Sequence, residues 1–124
     1  MKFQNPDEIL ELLFNWNKSY DELIAYCSDL YQDIKTLHRN SLGNIYPSKY
    51  TQCILECYKV LHNFSSCNWY SNEIVNSNFI ISGSKPIEFY RLNSKQEKLQ
   101  YILYNEDQID KNSSDYASQK IIDT

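Results

Sequence analysis

Ser19 to Asn40, SYDELIAYCSDLYQDIKTLHRN, constrains this chain more than any other stretch. Ser19 and Glu22 stand as S-x-x-E, a helix-start pattern. The hydroxyl accepts an amide of the first turn and the carboxylate reaches back to the Ser19 amide. Apolar residues follow at Leu23, Ile24, Cys27, Leu30, Tyr31, Ile34 and Leu37, three and four apart, which predicts one long amphipathic helix. Gly43, just beyond Asn40, supplies a residue able to take the left-handed conformation that ends helices.

On a wheel of about 100° per residue, Tyr26, Asp29 and Asp33 fall within about 40° of Glu22. The apolar stripe centres roughly 120° away. One helix therefore carries a core face and a separate acidic ridge with a tyrosine in it. Acids on a helix are most often a solvated face. The tyrosine among them makes Glu22, Tyr26, Asp29 and Asp33 the candidate partner-binding residues.

The flanking chain extends the helical pattern. Asn5 can cap a first helix, with Pro6 at its first position and Asp7 and Glu8 in its first turn. Ile9, Leu10, Leu12, Leu13, Phe14 and Trp16 make it apolar on more than one side, so it is expected beneath the second helix as an αα-hairpin. A third helix is expected from Ser48 to His62, with Tyr50, Cys53, Ile54, Cys57, Leu61 and Phe64 on one face. Ser65 to Asn78 mixes Trp69, Tyr70, Ile74 and Val75 with Ser and Asn and suggests at most a short helical turn.

After Asn78 the pattern turns to short β-type runs: Phe79–Ile81, Ile87–Leu92 and Leu99–Tyr104. Ser94 and Glu97 repeat the S-x-x-E pattern and would start a helix at Lys95. The β-formers Tyr101, Ile102 and Tyr104 favour a hairpin instead. From Asn105 the chain holds five acids, two lysines and several serines, which predicts a flexible acidic tail. The expected fold is α+β: three N-terminal helices, then a small antiparallel sheet. One domain is expected over residues 1–104, with a tail over 105–124.

Charge and composition bound the function. Sixteen acids against twelve bases give −4, a poor balance for direct nucleic-acid binding. Residues 1–34 alone carry seven acids and two lysines. Aromatic residues reach 15%, eleven of them Tyr, the residue type that gives large contact area at modest entropic cost. The N-terminal MKFQNPDEIL lacks the pattern of a signal peptide, and no stretch approaches the roughly 20 apolar residues that span a bilayer. A cytoplasmic location follows as the expectation, with Cys27, Cys53, Cys57 and Cys67 as reduced thiols.

Catalytic and metal chemistry find little support. Cys53-x3-Cys57-x4-His62-x4-Cys67 approaches zinc-knuckle spacing, and three thiolates with one imidazole would suit zinc. On a helix, however, His62 falls roughly 180° from Cys53, so the two cannot share an ion. Cysteines four apart on an apolar stripe are more often core residues. Only His38 and His62 could serve as the usual general base, and no Gly-rich phosphate loop or nucleophile elbow is present. The sequence thus points to no catalytic residue, no metal site and no cofactor. By elimination it suggests a small acidic binding protein that masks a basic protein partner. The most concrete forms are an immunity protein against a toxin nuclease and a phage-type inhibitor. A small metal-independent nucleic-acid-processing enzyme using His38 and Arg39 is the alternative from another class, and a non-catalytic subunit or adaptor is a third.

Overall fold

The computed structural model describes residues 2–75, 79–92, 95 and 97–111. The chain forms an α+β fold of three helices and a four-stranded sheet. It divides into two compact units, a helical one (residues 2–38 and 45–67) and a sheet one (39–44 and the described residues from 68 onward).

In the helical unit, α1 (Pro6–Phe14) starts at Asn5 with Pro6 in the first turn, and buries Pro6, Ile9, Leu10 and Leu13. Helix α2 (Tyr20–Tyr31) is capped by Ser19, whose hydroxyl accepts the Glu22 amide at 3.2 Å, while the Glu22 carboxylate meets the Ser19 hydroxyl and not, as expected, its amide. Helix α3 (Lys49–Leu61) is capped by Ser48, which accepts the Thr51 amide at 3.2 Å. Its other end is closed by Asn63 at φ 57, with Phe64 N–H donating to the Lys59 carbonyl and Asn63 N–H to that of Val60. That is a Schellman closure with asparagine in the left-handed position. The unbroken buried run Thr51–Leu55, with Cys57, marks α3 as the central element. Helices α1 and α2 both pack mainly on α3, and not chiefly on each other as the αα-hairpin expectation had it.

The long second helix is the main correction. It ends at Tyr31, nine residues before Asn40. Asp33 and Ile34 donate to the Leu30 and Tyr31 carbonyls in tight three-residue steps, and the chain then leaves the helical path. Seven residues past Tyr31, a side chain of α3 holds the backbone. Gln52 of α3 accepts the His38 amide at 2.8 Å and donates to the His38 carbonyl at 3.0 Å and the Tyr46 carbonyl at 2.8 Å. Ile34 is buried without helical geometry, which the spacing of apolar residues cannot distinguish from a helical turn.

The sheet unit holds β1 (Arg39–Asn40), β2 (Asn68–Ser71), β3 (Ile87–Leu92) and β4 (Lys98–Asn105), in the spatial order β1-β2-β4-β3. The sheet is mixed: β1 runs parallel to β2, while β2–β4 and β3–β4 are antiparallel. A strand thus intervenes between the second and third helices, and the purely antiparallel sheet of the sequence reading is corrected. The β3–β4 pairing follows the hairpin expectation, although residues 93, 94 and 96, including Ser94 of the rival helix start, lie outside the described residues. Asn68–Ser71 is strand rather than a helical turn. Of the Phe79–Ile81 run, only Ile80 bridges, to Ile109. Gly43, at φ 87, ends no helix. It turns a loop in which the Asn40 side chain accepts the Leu42 and Asn44 amides, each at 3.0 Å.

The chain also stays ordered past residue 104, where the flexible tail was expected. Glu106–Gln108 forms a 3-10 turn closed by a reciprocal cap: Asn105 accepts the Asp107 amide, and Gln108 accepts the Asn105 amide at 2.8 Å. Gln108 also donates to the Lys85 carbonyl, and Ile109 is buried. Residues 112–124 lie outside the described residues. Among the described residues, no helix is long and apolar enough to cross a membrane.

Candidate functional site

The ridge expected on α2 is brought together only in part. Glu22 is exposed in the first turn, its carboxylate 3.2 Å from the Ser19 hydroxyl. Tyr26 is half-buried and stacks on Trp16 at 5.6 Å, while the Trp16 indole N–H donates to the Ser19 carbonyl. Burial first, then the neighbouring thiols of Cys57, Cys27 and Cys53, raise the Tyr26 phenol above its ordinary value. One flank of Tyr26 therefore serves the fold.

Asp29 and Asp33 have intramolecular work as well. The Lys2 ammonium lies 2.7 Å from the Asp29 carboxylate and 3.0 Å from the Asp29 carbonyl. The Lys2 backbone amide donates to Asp33 at 2.9 Å. The hydrogen bond to Asp29 also raises the Lys2 ammonium above its usual value. Lys2 so ties the N-terminal strand of chain to the end of α2. Asp33 itself lies past the last helical residue. Nothing in the sequence signals Lys2 as a partner, because the contact joins residues 31 apart.

The sequence reading missed two apolar residues that α2 presents outward. Tyr20 is 71% exposed and Ile24, assigned to the core stripe, is 45% exposed. They stand one turn apart on the helix. Asp21, Glu22 and Ala25 are exposed beside them. Ile24 lies at the edge of the stripe, roughly 80° from its centre, and the buried face of α2 comes down to Cys27 and Leu30 with half-buried neighbours, which leaves it outside. Asp7, Glu8 and Glu11 of α1 are also exposed, and neither they nor Asp21 form an ion pair among the described residues. The helical unit carries eight acids against five lysines.

His38 is the other chemical candidate. Its Nε2 lies 2.9 Å from Glu56 Oε1 on α3, and the histidine is 0% exposed. Its amide and carbonyl are held by Gln52, and the Arg39 guanidinium donates to the Gly43 carbonyl at 2.9 Å. A wholly buried imidazole offers no face to a polymeric substrate, so this geometry pins residues 34–38 onto α3.

The cysteines lie with the core. Cys27, Cys53, Cys57 and Cys67 are all free thiols, the first three buried. The Cys53 thiol donates to the Cys27 carbonyl at 3.4 Å. Hydrogen bonding with Cys27 and then burial hold Cys53 protonated, and burial pushes the Cys57 thiol up to about 12. His62 caps the end of α3, stacked 6.0 Å from Tyr58. Among the described residues, no three His, Cys, Asp or Glu side chains converge as a metal site.

Compared with known protein families, curated proteins and solved structures, the chain matches none.

Proposed function

We propose that the protein is a cytoplasmic binding protein that masks a basic protein partner, in the manner of an immunity protein neutralising a toxin nuclease or of a phage-type inhibitor. The contact is made by the outward face of α2. The observation that carries the reading is the pairing of Tyr20 and Ile24 with the exposed acids Asp21 and Glu22. Aromatic and aliphatic anchors beside unpaired charge are what an interface needs for hold and for capture respectively. The ridge of Glu22, Tyr26, Asp29 and Asp33 contributes its charge around that centre, with Asp29 and Asp33 partly neutralised by Lys2.

The test is affinity capture with the full chain as bait, followed by binding kinetics at two salt concentrations. Asp21→Lys with Glu22→Lys should slow association, more strongly at low salt, because screening acts over about 8–10 Å near physiological ionic strength. Tyr20→Ala should instead speed dissociation. Both sites are exposed, so the fold should survive. Association that is unchanged in the double lysine variant would refute the reading.

A further inference from the structure

Strand β3 forms one border of the sheet, and among the described residues nothing pairs with its outer side. Borders of this kind are normally blunted by proline, a bulge, shortness or an inward charge. Ile87–Leu92 has no proline, pairs with β4 without interruption over six residues, and turns Ile87 and Phe89 inward; the charge on that face, Arg91, donates to the Tyr101 hydroxyl of β4 at 3.2 and 3.3 Å. Its other face exposes Glu88, Tyr90 at 47% and Leu92 at 58%. The opposite border, β1, is only two residues long.

We propose that β3 pairs antiparallel with β3 of a second copy of this chain, joining two sheets across a two-fold axis. An axis perpendicular to the sheet keeps each face continuous, so residues of like orientation must meet. Centred on Tyr90, the pairing sets Tyr90 against Tyr90, Leu92 against Glu88, and Phe89 against Arg91 on the inner face. Two tyrosines would stack at the axis.

Charge complementarity supports this register. Lys98 pairs with Leu92 across the hairpin, and its ammonium leans over the Tyr90 ring at 4.2 Å. Glu88 is exposed and forms no ion pair among the described residues. In the paired sheet, Glu88 of one copy flanks Leu92 of the other on the side opposite Lys98, so carboxylate and ammonium can meet over the leucine. The short β1 border gives no second site of the same kind, so assembly closes at two copies.

Sedimentation and light scattering of the full chain, from micromolar to millimolar, test the proposal. A reversible species of twice 14.8 kDa is expected. Tyr90→Lys sets two ammonium groups at the axis and should weaken the dimer by about 100-fold or more. Glu88→Lys and Lys98→Glu should each weaken it about tenfold, and their combination should restore most of the loss. Circular dichroism checks that each variant folds, and the charge exchange serves if Tyr90→Lys does not. A monomer at every concentration, a dimer indifferent to Tyr90→Lys, or a charge exchange without recovery would each overturn the proposal.

Discussion

Gln52 is the side chain on which the course of the chain after α2 depends, and replacing it with methionine tests that directly. Methionine keeps the length and the lack of branching but has no amide. The native side chain makes three hydrogen bonds, to the His38 amide and to the carbonyls of His38 and Tyr46. The His38 carbonyl retains a second partner in the Tyr46 amide at 3.2 Å. Methionine removes all three of these bonds to backbone. Gln52 is 1% exposed, so water does not readily replace what is lost. At about 0.5–1.5 kcal/mol net for each hydrogen bond lost, Gln52→Met should cost about 1.5–4.5 kcal/mol. That is a large part of the roughly 5–15 kcal/mol typical of a whole domain. Urea unfolding should show it as a fall in midpoint of about 1–3 M, for a slope near 1.5 kcal/mol per molar. Hydrogen exchange supplies a local readout, since the His38 amide should lose its protection. Gln32→Met, at an exposed position, is the control and should change stability by less than about 0.5 kcal/mol. A Gln52→Met loss that small, with the His38 amide still protected, would refute the reasoning.

Other outcomes follow from the same structure. The Cys57 thiol and the Tyr50 phenol are both pushed up to about 12, mainly by burial, from 9.0 and 10.0. The unfolded chain therefore releases these protons first, and stability should be level below about pH 9 and decline from there toward 12. The slope should approach about 1.4 kcal/mol per pH unit for each group, read by urea titration at stepped pH; a flat profile would contradict the burial. Lys2→Ala should leave the unfolding midpoint almost unchanged, because its pair with Asp29 is exposed, and a double-mutant cycle with Asp29→Ala measures the coupling. Asn105→Ala removes the cap of the turn that follows β4 and should cost about 1–2 kcal/mol in thermal or urea unfolding.

Local signals were legible where they had a local cause. The span read from Ser48 to His62 places α3 within a residue, because its start signal and its stripe both lie inside the segment that they define. Ile87–Leu92 and Leu99–Tyr104 are legible for the same reason, since alternation and a short connection suffice for a hairpin. The errors share a different cause. Asn68–Ser71 has little alternation of its own and becomes a strand by pairing with Leu103–Asn105. The path after α2 is held at His38 by Gln52, fourteen residues further on. Tyr26, Asp29 and Asp33 could be placed on one side of a helix from spacing alone. That Trp16 and Lys2 would cover part of that side could not, because neither contact has a periodic signature. Ile24 was misplaced for a related reason: it stands at the edge of the apolar stripe, and spacing does not show how wide a stripe the neighbouring elements cover.

The order in which strands join the sheet bears on synthesis. Every residue of the helical unit has been made once Cys67 has been added. Strand β1, made earlier, finds its neighbour only with Asn68 and Trp69, and β2 finds its second neighbour only with Leu103–Asn105. A nascent chain stalled near residue 67, outside the ribosome, should therefore contain the helices and hold Arg39 and Asn40 with no strand beside them. The sheet can close only after β4 has emerged, so translation exposes this half of the molecule unpaired for the time needed to make almost forty residues.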